Sequence, residues 1–496
     1  MFNDRDFDPE HAEQPGEADL IQDLDLDTLW EAAAADDWIV RASVRTATLD
    51  RLTEPAQIDY RADAFSDCLA HPDVVREMYR LAREAVDREA EIYRATFLRS
   101  SDALVRRSVS ALQIFLDVLQ RLHALAEEHA HGFTSPAFTR LFADLTTELD
   151  PPYLAEISEH LRTLRFGNGI LASAHLGRHN QGTDYVLRQP LTERQSRFLP
   201  HHPPLKRPYY SRTISREEFH GLHALGGLRD RVLRLAATAV SQAAEHIQRF
   251  FSALRAELAF YIGCLNVHEN LRAKGLRICR PAPQPVGVRA LTAADLYDPC
   301  LAQRAPQPVQ GNDLAADGKR LIMVTGANQG GKSTFLRSLG LAHIMMQAGM
   351  PVAAASFAAS AVTGIFAHYA REEDPTMTAG KFDEELARMS RIAHRIRPGA
   401  LLLSNESFAT TNEVEASEIA TDILRALGEA GVTVAFVTHI YELAHRYERS
   451  STTLFLRAER DASGRRDFRL REAPPELTSY AQDLYRTTFN ATSETS

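Results

Sequence analysis

Two periodicities divide the chain. From residue 28 to about 160, apolar side chains recur at three- and four-residue steps, and Val105, Val109, Leu112, Leu116, Leu119 and Leu122 form one stripe. That is the pattern of helices burying one face. Pro72 and the Pro151-Pro152 pair punctuate the region. Between 165 and 213 the helical period is lost. Glycines stand at 167, 169, 177 and 182, short alternating runs such as Tyr185-Val186-Leu187 occur, and Pro200 to Pro208 is proline-rich, so a small β-rich insertion is expected. Helix returns at about 215, and from Leu228 to about Ala273 there is no proline and little glycine. At 1.5 Å per residue such a helix spans on the order of 60 Å and would act as a lever.

Pro281, Pro283 and Pro285 mark the exit from the helical part, and from about 296 strands alternate with helices. Leu321 to Val324, Leu401 to Leu403 and Val432 to Val437 read as buried strands, and Val352 to Phe366 as strand and turn. Phe382 to Ile396 and Glu413 to Glu429 read as helices, with late strands near Thr452 to Leu456 and Phe468 to Leu470. The expected fold class is multidomain: an all-α core and lever domain carrying a small β-rich insertion, plus an α/β domain with helices on both faces of its sheet. The expected boundaries are 1–27 for an N-terminal tail, 28–164 for the helical core, 165–213 for the insertion, 214–295 for the long lever helices and 296–496 for the α/β domain.

Charge changes the picture at two places. The formal net charge is −10, but residues 1–27 hold ten Asp/Glu against one Arg, so the rest of the chain is nearly neutral. The acidic stretch reads as a disordered tail, either a decoy for the protein's own basic surface or a solvated segment with no role. Between Arg162 and Arg216 ten Arg/Lys face only Asp184 and Glu193, with Tyr185, Phe198, Tyr209 and Tyr210 interleaved. Either this is a patch for nucleic-acid phosphates, with Arg188, Arg194, Arg197, Lys206, Arg207 and Arg212 as contacts, or it is a solvated loop pairing with acidic helices of the same chain. Cys68, Cys264, Cys279 and Cys300 lack paired metal spacing and read as free thiols of a reducing cytoplasm. No run of about 18 apolar residues is present, so no membrane span is expected.

The chemistry concentrates in Gly326 to Thr334, which reads G-A-N-Q-G-G-K-S-T and fits the phosphate-binding loop G-x-x-x-x-G-K-[ST]. A strand-like run enters it and a helix-like run leaves it, as the motif requires. Gly326, Ala327, Asn328, Gln329, Gly330 and Gly331 would present backbone N–H groups to phosphate oxygens, and Thr334 continues the loop into the helix. Lys332 would reach the terminal phosphates and Ser333 would ligate Mg²⁺. About 75 residues on, Leu403-Ser404-Asn405-Glu406 stands where an acidic strand end is needed. Glu406 would position the attacking water. Asn405, in the usual place of Asp, would help hold Mg²⁺ through water, but without charge. His439, after a third strand, would sense the γ-phosphate.

These residues resemble the MutS family. Gly326 to Thr334 is similar to that family's G-P-N-M-G-G-K-S-T, and Leu403 to Glu406 followed by Thr410-Thr411 to its L-M-D-E…G-T. Thr438 to Leu443 is similar to its T-H-Y-F-E-L, Gly349 to Val352 to its G-x-P-V strand, Asn312-Asp313 to its N-D, and Ser479-Tyr480 to its S-Y-G. More loosely, Arg61 to Ala64 with Pro72 resembles the start of the family's helical core, and Glu257-Leu258-Ala259 its long lever helix. No L-S-G-G-Q-type signature is present, so a plain ABC or SMC ATPase fits less well.

The resemblance implies an ATPase domain of the MutS/ABC type using ATP and Mg²⁺. It implies a homodimer paired through those domains, and a clamp that holds mismatched or branched DNA in repair or recombination, with repair proteins as further partners. The departures carry expectations of their own. The family's mismatch-reading Phe-x-Glu wedge has no N-terminal counterpart, since Phe382-Asp383-Glu384 lies inside the α/β domain. The family's long clamp arms give way to the insertion, and no nuclease domain follows Ser479-Tyr480. Aligning Phe382 and Glu385 with the family's S-T-F-x-x-E places Gly380 and Lys381 where Ser-Thr stands. That element completes the partner's site, so Lys381 would act in trans. The expected activity is ATP hydrolysis, slowed by Asn405, in a cytoplasmic, nucleoid-associated protein. The competing expectations are an ATP-bound switch or scaffold with little turnover, and a P-loop ATPase acting on a protein partner.

Overall fold

The structure is a computed structural model. It describes residues 1–2, 5–10, 16–94, 100–167, 169–178, 182–188, 213–215, 218–326, 329–370, 380–408, 412–460 and 466–476. Along the chain the helices are α1 (Glu17–Leu24), α2 (Leu26–Ala34), α3 (Trp38–Leu49), α4 (Pro55–Ala70), α5 (Pro72–Arg94), α6 (Ser101–His129), α7 (Pro136–Glu148), α8 (Pro151–Thr163), α9 (Phe219–Ala273), α10 (Pro299–Arg304), α11 (Lys332–Ala348), α12 (Lys381–Arg395), α13 (Glu413–Glu429) and α14 (Tyr441–Tyr447). The strands are β1 (Leu171–Leu176), β2 (Gly182–Arg188), β3 (Ala282–Gln284), β4 (Leu291–Leu296), β5 (Asn312–Ala315), β6 (Leu321–Gly326), β7 (Ser356–Ser360), β8 (Ile365–Tyr369), β9 (Leu401–Asn405), β10 (Thr433–Val437), β11 (Thr453–Arg460) and β12 (Arg466–Glu472).

The chain forms two compact units, one of Met1–Val75, Gly132–Phe138 and Ala256–Ser496, the other of Arg76–His131 and Thr139–Arg255. They do not follow the linear boundaries read from sequence: the helical segment 28–164 is shared between them. The protein is multidomain and largely helical with mixed sheets.

In the second unit every member of the Val105-to-Leu122 stripe on α6 is buried. Phe115 packs against Phe251 of α9, ring centroids 5.4 Å apart. Ser100 caps α6 by accepting from the Ala103 N–H, and Asp230 of α9 accepts from the Ser101 N–H at 2.5 Å. Of the expected insertion, the described part is an antiparallel hairpin, β1 with β2. By length and composition alone α9 could cross a membrane, but 67% of its most apolar window is buried within the protein, so its apolar residues serve the core.

The first unit holds two sheets. The larger has the order β12-β11-β6-β10-β9-β8, parallel except for the antiparallel edge strand β12. Its central strands are buried almost without alternation, as a parallel sheet covered on both faces demands. The smaller sheet has the order β3-β7-β4-β5, so sheet structure begins before the expected boundary at 296. β3 carries Pro283, which a strand tolerates only at an edge, the position β3 occupies. Nearly all of α11 is buried, and Gly340 lets it approach Leu403 and Leu24 so closely that an added Cβ would lie 2.5 Å from Leu403.

That contact with Leu24 corrects the reading of residues 1–27 as a disordered tail. In the described part, Met1, Phe7, Leu20, Leu24 and Leu26 are buried. Asp19, Asp23 and Asp25 are partners of arginines elsewhere in the unit rather than solvated charges. Arg388 pairs with Asp23 at 3.2 Å and with Asp19 at 3.8 Å, and Arg304 pairs with Asp25 at 2.7 Å. Net charge over the segment hid an apolar spacing that makes α1 and α2 amphipathic.

Candidate functional site

Four parallel strands end side by side, β6 between β11 and β10, and β10 next to β9. Val437 pairs with Val324 on one side and with Asn405 on the other. Ligands of open α/β sheets bind beyond such carboxyl ends. Gly326 closes β6 at φ 101°, and a Cβ there would lie 2.4 Å from the Ala458 carbonyl oxygen of β11, so only glycine fits. Gly331, at φ 91°, caps the start of α11 without a side-chain hydrogen bond, and a helix N-terminus suits an anion.

Lys332 is the first residue of α11. It is buried, and its Nζ donates to the Gly326 carbonyl at 2.8 Å. Burial lowers its pKa and the Glu406 carboxylate opposes the shift. A desolvated ammonium in this position is stabilised by polyanionic oxygen. The Ser333 hydroxyl donates to Asn405 Oδ1 at 3.0 Å. This direction leaves the Ser333 oxygen lone pairs for a cation, with Asn405 as a neutral acceptor behind it. The Lys332, Ser333 and Asn405 set therefore fits Mg²⁺ with a phosphate chain, one negative charge short of the usual arrangement.

Glu406 follows β9 at φ 52°, a left-handed conformation rare for Glu, and its N–H donates to Val437 O at 2.9 Å. It lines a cavity of about 590 Å³ together with Gln329, Lys332, Ser333 and Thr334. Residues 305–310, Asn312 and Phe468 also line it, none of which the sequence marks as part of a binding wall. Asn312 accepts from the Leu470 N–H at 2.7 Å and donates to the Phe468 carbonyl at 3.4 Å, so Asn312, the first of the Asn312-Asp313 pair, fixes β12 against the cavity. Asp298, also lining the cavity, pairs with Arg337 of α11 at 2.5 Å. Its sequence signal was an Asp-Pro helix start.

His439 follows β10 as read, yet its side chain is exposed and it does not line the cavity. Gly380 and Lys381 form the N-cap and first residue of α12. Arg188 is exposed on β2, its Nε donating to Ser173 Oγ at 2.8 Å. Ala327, Asn328, Arg194, Arg197, Lys206, Arg207 and Arg212 lie outside the described residues, as do Thr410, Thr411, Ser479 and Tyr480. The four cysteines are free thiols, Cys279 partly exposed and the others buried.

Residues 53–274 match the MutS2 N-terminal domain and residues 322–467 match MutS domain V. Over 141 residues the chain is 32% identical to the DNA mismatch repair protein MutS of Granulibacter bethesdensis, an alignment covering 28% of this chain and 15% of that protein. Over 143 residues it is 31% identical to MutS protein homolog 4 of Mus musculus, with the same two coverages. The chain thus aligns with about 15% of the length of these curated relatives. The chain belongs to the MutS family.

Proposed function

We propose that this protein is an ATP-dependent DNA-binding ATPase of the MutS type. In this reading it is a homodimer paired through its α/β domains that uses ATP binding and hydrolysis to control its hold on mismatched or branched DNA. One observation supports the reading best: Lys332, Ser333 and Glu406 line one cavity at the ends of parallel strands β6, β10 and β9, with Asn405 bonded to Ser333. Lys332 and the loop N–H groups would bind the phosphate chain, and Ser333 would hold Mg²⁺, with Asn405 behind it. The cation supplies charge neutralisation at the phosphates when bound. Glu406 would orient the attacking water. The apolar side of the cavity, at Phe468, would receive the nucleotide base. Lys381 would serve the partner's site. DNA would be held by backbone contacts from the arginines between Arg162 and Arg216, in a cytoplasmic, nucleoid-associated protein that recruits repair partners.

The test is ATP turnover of the purified protein on plain, mismatched and branched duplexes, beside DNA affinity as a function of salt. We expect stimulation by branched or mismatched DNA and affinity falling steeply between 50 and 200 mM salt, by about 10³ or more for six phosphate contacts. Turnover indifferent to all DNA, with salt-independent binding, would favour a P-loop ATPase acting on a protein partner.

The bond from Ser333 to a neutral Asn405 supports a second reading, a nucleotide-bound switch with little hydrolysis. Asn405→Asp separates the two. Restoring the charge next to the cation is expected to tighten Mg²⁺ by about tenfold, on the order of one charge-assisted contact. If wild-type turnover is near zero and Asn405→Asp raises it at least tenfold, the switch is the better description. If wild type already turns over at the variant's rate, the amide is tolerated.

A further inference from the structure

The segment Ser404 to Phe408, with Glu406 at its centre, is tied to α12 by side chains that none of the roles above employs. The Ser404 and Ser407 hydroxyls lie 2.6 Å apart. The Ser407 hydroxyl lies 2.6 Å from His368 Nδ1, and His368 Nε2 lies 3.0 Å from the Glu385 carbonyl. A carbonyl only accepts, so Nε2 carries the imidazole proton and Nδ1 is the acceptor. The bonds therefore run in one direction: Ser404 donates to Ser407, Ser407 directs its single proton at His368, shared between Nδ1 and the backbone carbonyl at 3.0 Å, and His368 donates to Glu385. His368 is fully buried, and burial lowers its pKa to about 4, which keeps the ring neutral and this order intact at neutral pH.

A second bond closes the circuit. Glu385 Oε2 accepts from the Phe408 N–H at 2.8 Å, and the Phe408 ring stacks on His368, centroids 5.6 Å apart at 27°. Glu385 and Phe408 are both buried. Glu406 and Phe408 both take positive φ, 52° and 68°, a backbone that non-glycine residues hold only when their surroundings over-determine it. The Glu385 carboxyl also sits within electrostatic reach of Lys381, one turn earlier at the start of the same helix. So the loop carrying Glu406 is fixed at both ends to the first turns of α12, whose N-terminus is Gly380-Lys381.

We infer that His368, Ser407 and Glu385 are positioning residues that set the orientation of Glu406 and transmit movement of the α12 N-terminus to it. Occupancy of one nucleotide cavity would be felt at Lys381, and a ligand reaching Lys381 would move Glu406. The inference rests on the reading of Glu406 as the group that orients water.

Two near-isosteric changes split the relay. His368→Gln keeps a donor near the Nε2 position for the Glu385 carbonyl, and His368→Asn keeps an acceptor near Nδ1 for Ser407. Ser407→Ala removes the relay's centre. Each variant is to be measured for binding of a non-hydrolysable ATP analogue, for kcat, and for amide hydrogen exchange of peptides covering 401–408 and 381–389 with and without the analogue. We expect analogue affinity within about twofold of wild type, kcat lowered about tenfold in all three variants, and no further loss when His368→Asn is added to Glu406→Gln. In wild type the analogue should protect both peptides. In His368→Asn it should protect 401–408 alone, a loss of coupling that mere destabilisation would not give. If the analogue binds wild type but the two peptides respond independently, or if the variants turn over at the wild-type rate, the inference is overturned. If wild type binds no nucleotide, the ATP-site reading itself fails, and the inference falls with it.

Discussion

Lys332→Ala should abolish turnover and weaken ATP binding by between about tenfold and a hundredfold, the loss of a charge-assisted contact, whereas Glu406→Gln should bind ATP normally and lose turnover by about 10² to 10³. The asymmetry follows from placement. Lys332 is buried beneath the glycine loop with its Nζ on the Gly326 carbonyl, so it meets phosphate in ground and transition states alike. Glu406 lines the same cavity just after β9 and would act on water, which matters only once bond-making starts. The lowered pKa of Lys332, caused first by burial, gives an internal control. Removing a desolvated ammonium should leave the ligand-free protein no less stable, so lost binding cannot be ascribed to unfolding. Titration with a fluorescent ATP analogue, phosphate release and a thermal melt check all three statements. Glu406→Gln turning over within about twofold of wild type would remove Glu406 from its assigned role.

What was legible in sequence was local. The loop's glycines specify their own backbone, because glycine alone suits Gly326 beside Ala458 and Gly331 at the helix start. Flanking apolar runs identified β6, β9 and β10, and a three-four spacing identified the buried face of α6. The relations between distant positions that hold the unit and its cavity together were not legible. Asn312 fixes β12 across 158 residues, and Arg388 reaches Asp23 across 365. No window of sequence contains both partners. The N-terminal stretch shows the cost of averaging: its net charge suggested disorder, while Leu20, Leu24 and Leu26 carried a packing signal. His439 shows another limit. Periodicity placed it after its strand, but whether a loop side chain turns toward a cavity or toward solvent depends on φ and ψ, which the residue type does not fix.

Asp298→Ala should cost on the order of 3–5 kcal/mol, the penalty of leaving a mostly buried charge without its partner, together with about 1 kcal/mol for a lost helix cap. Asp298 is fully buried and Arg337 is 25% exposed on its side chain. The carboxylate also accepts from the Cys300 N–H at 2.9 Å and the Leu301 N–H at 3.0 Å, which begins α10. Burial raises the Asp298 pKa and Arg337 opposes it. A raised carboxylate pKa contributes stability below the unfolded value, lost as pH rises through the folded value. Burial thus offsets part of the attraction on the Asp298 side, while Asp298 holds the Arg337 pKa up against its own burial, and the pair's role is to hold α10 against α11. It follows that Asp298→Ala combined with Arg337→Met should be less damaging than Asp298→Ala alone, because the orphaned guanidinium is gone. Both tryptophans, Trp30 and Trp38, lie in the unit that contains this pair, so urea unfolding followed by tryptophan fluorescence reports the right unit. The nucleotide site should respond as well. The segment after α10, residues 305–310, forms one wall of the cavity, and Lys274 Nζ holds the carbonyls of Ala302 and Gln303 at 2.5 and 2.8 Å. With Asp298 lost, α10 keeps its ties to Lys274 and, through Arg304, to Asp25 but loses its cap and its hold on α11, and the wall should loosen. ATP-analogue affinity should then fall in Asp298→Ala and recover in part in the double variant. A loss below about 1 kcal/mol with unchanged affinity would place the anchoring of α10 in its apolar contacts instead.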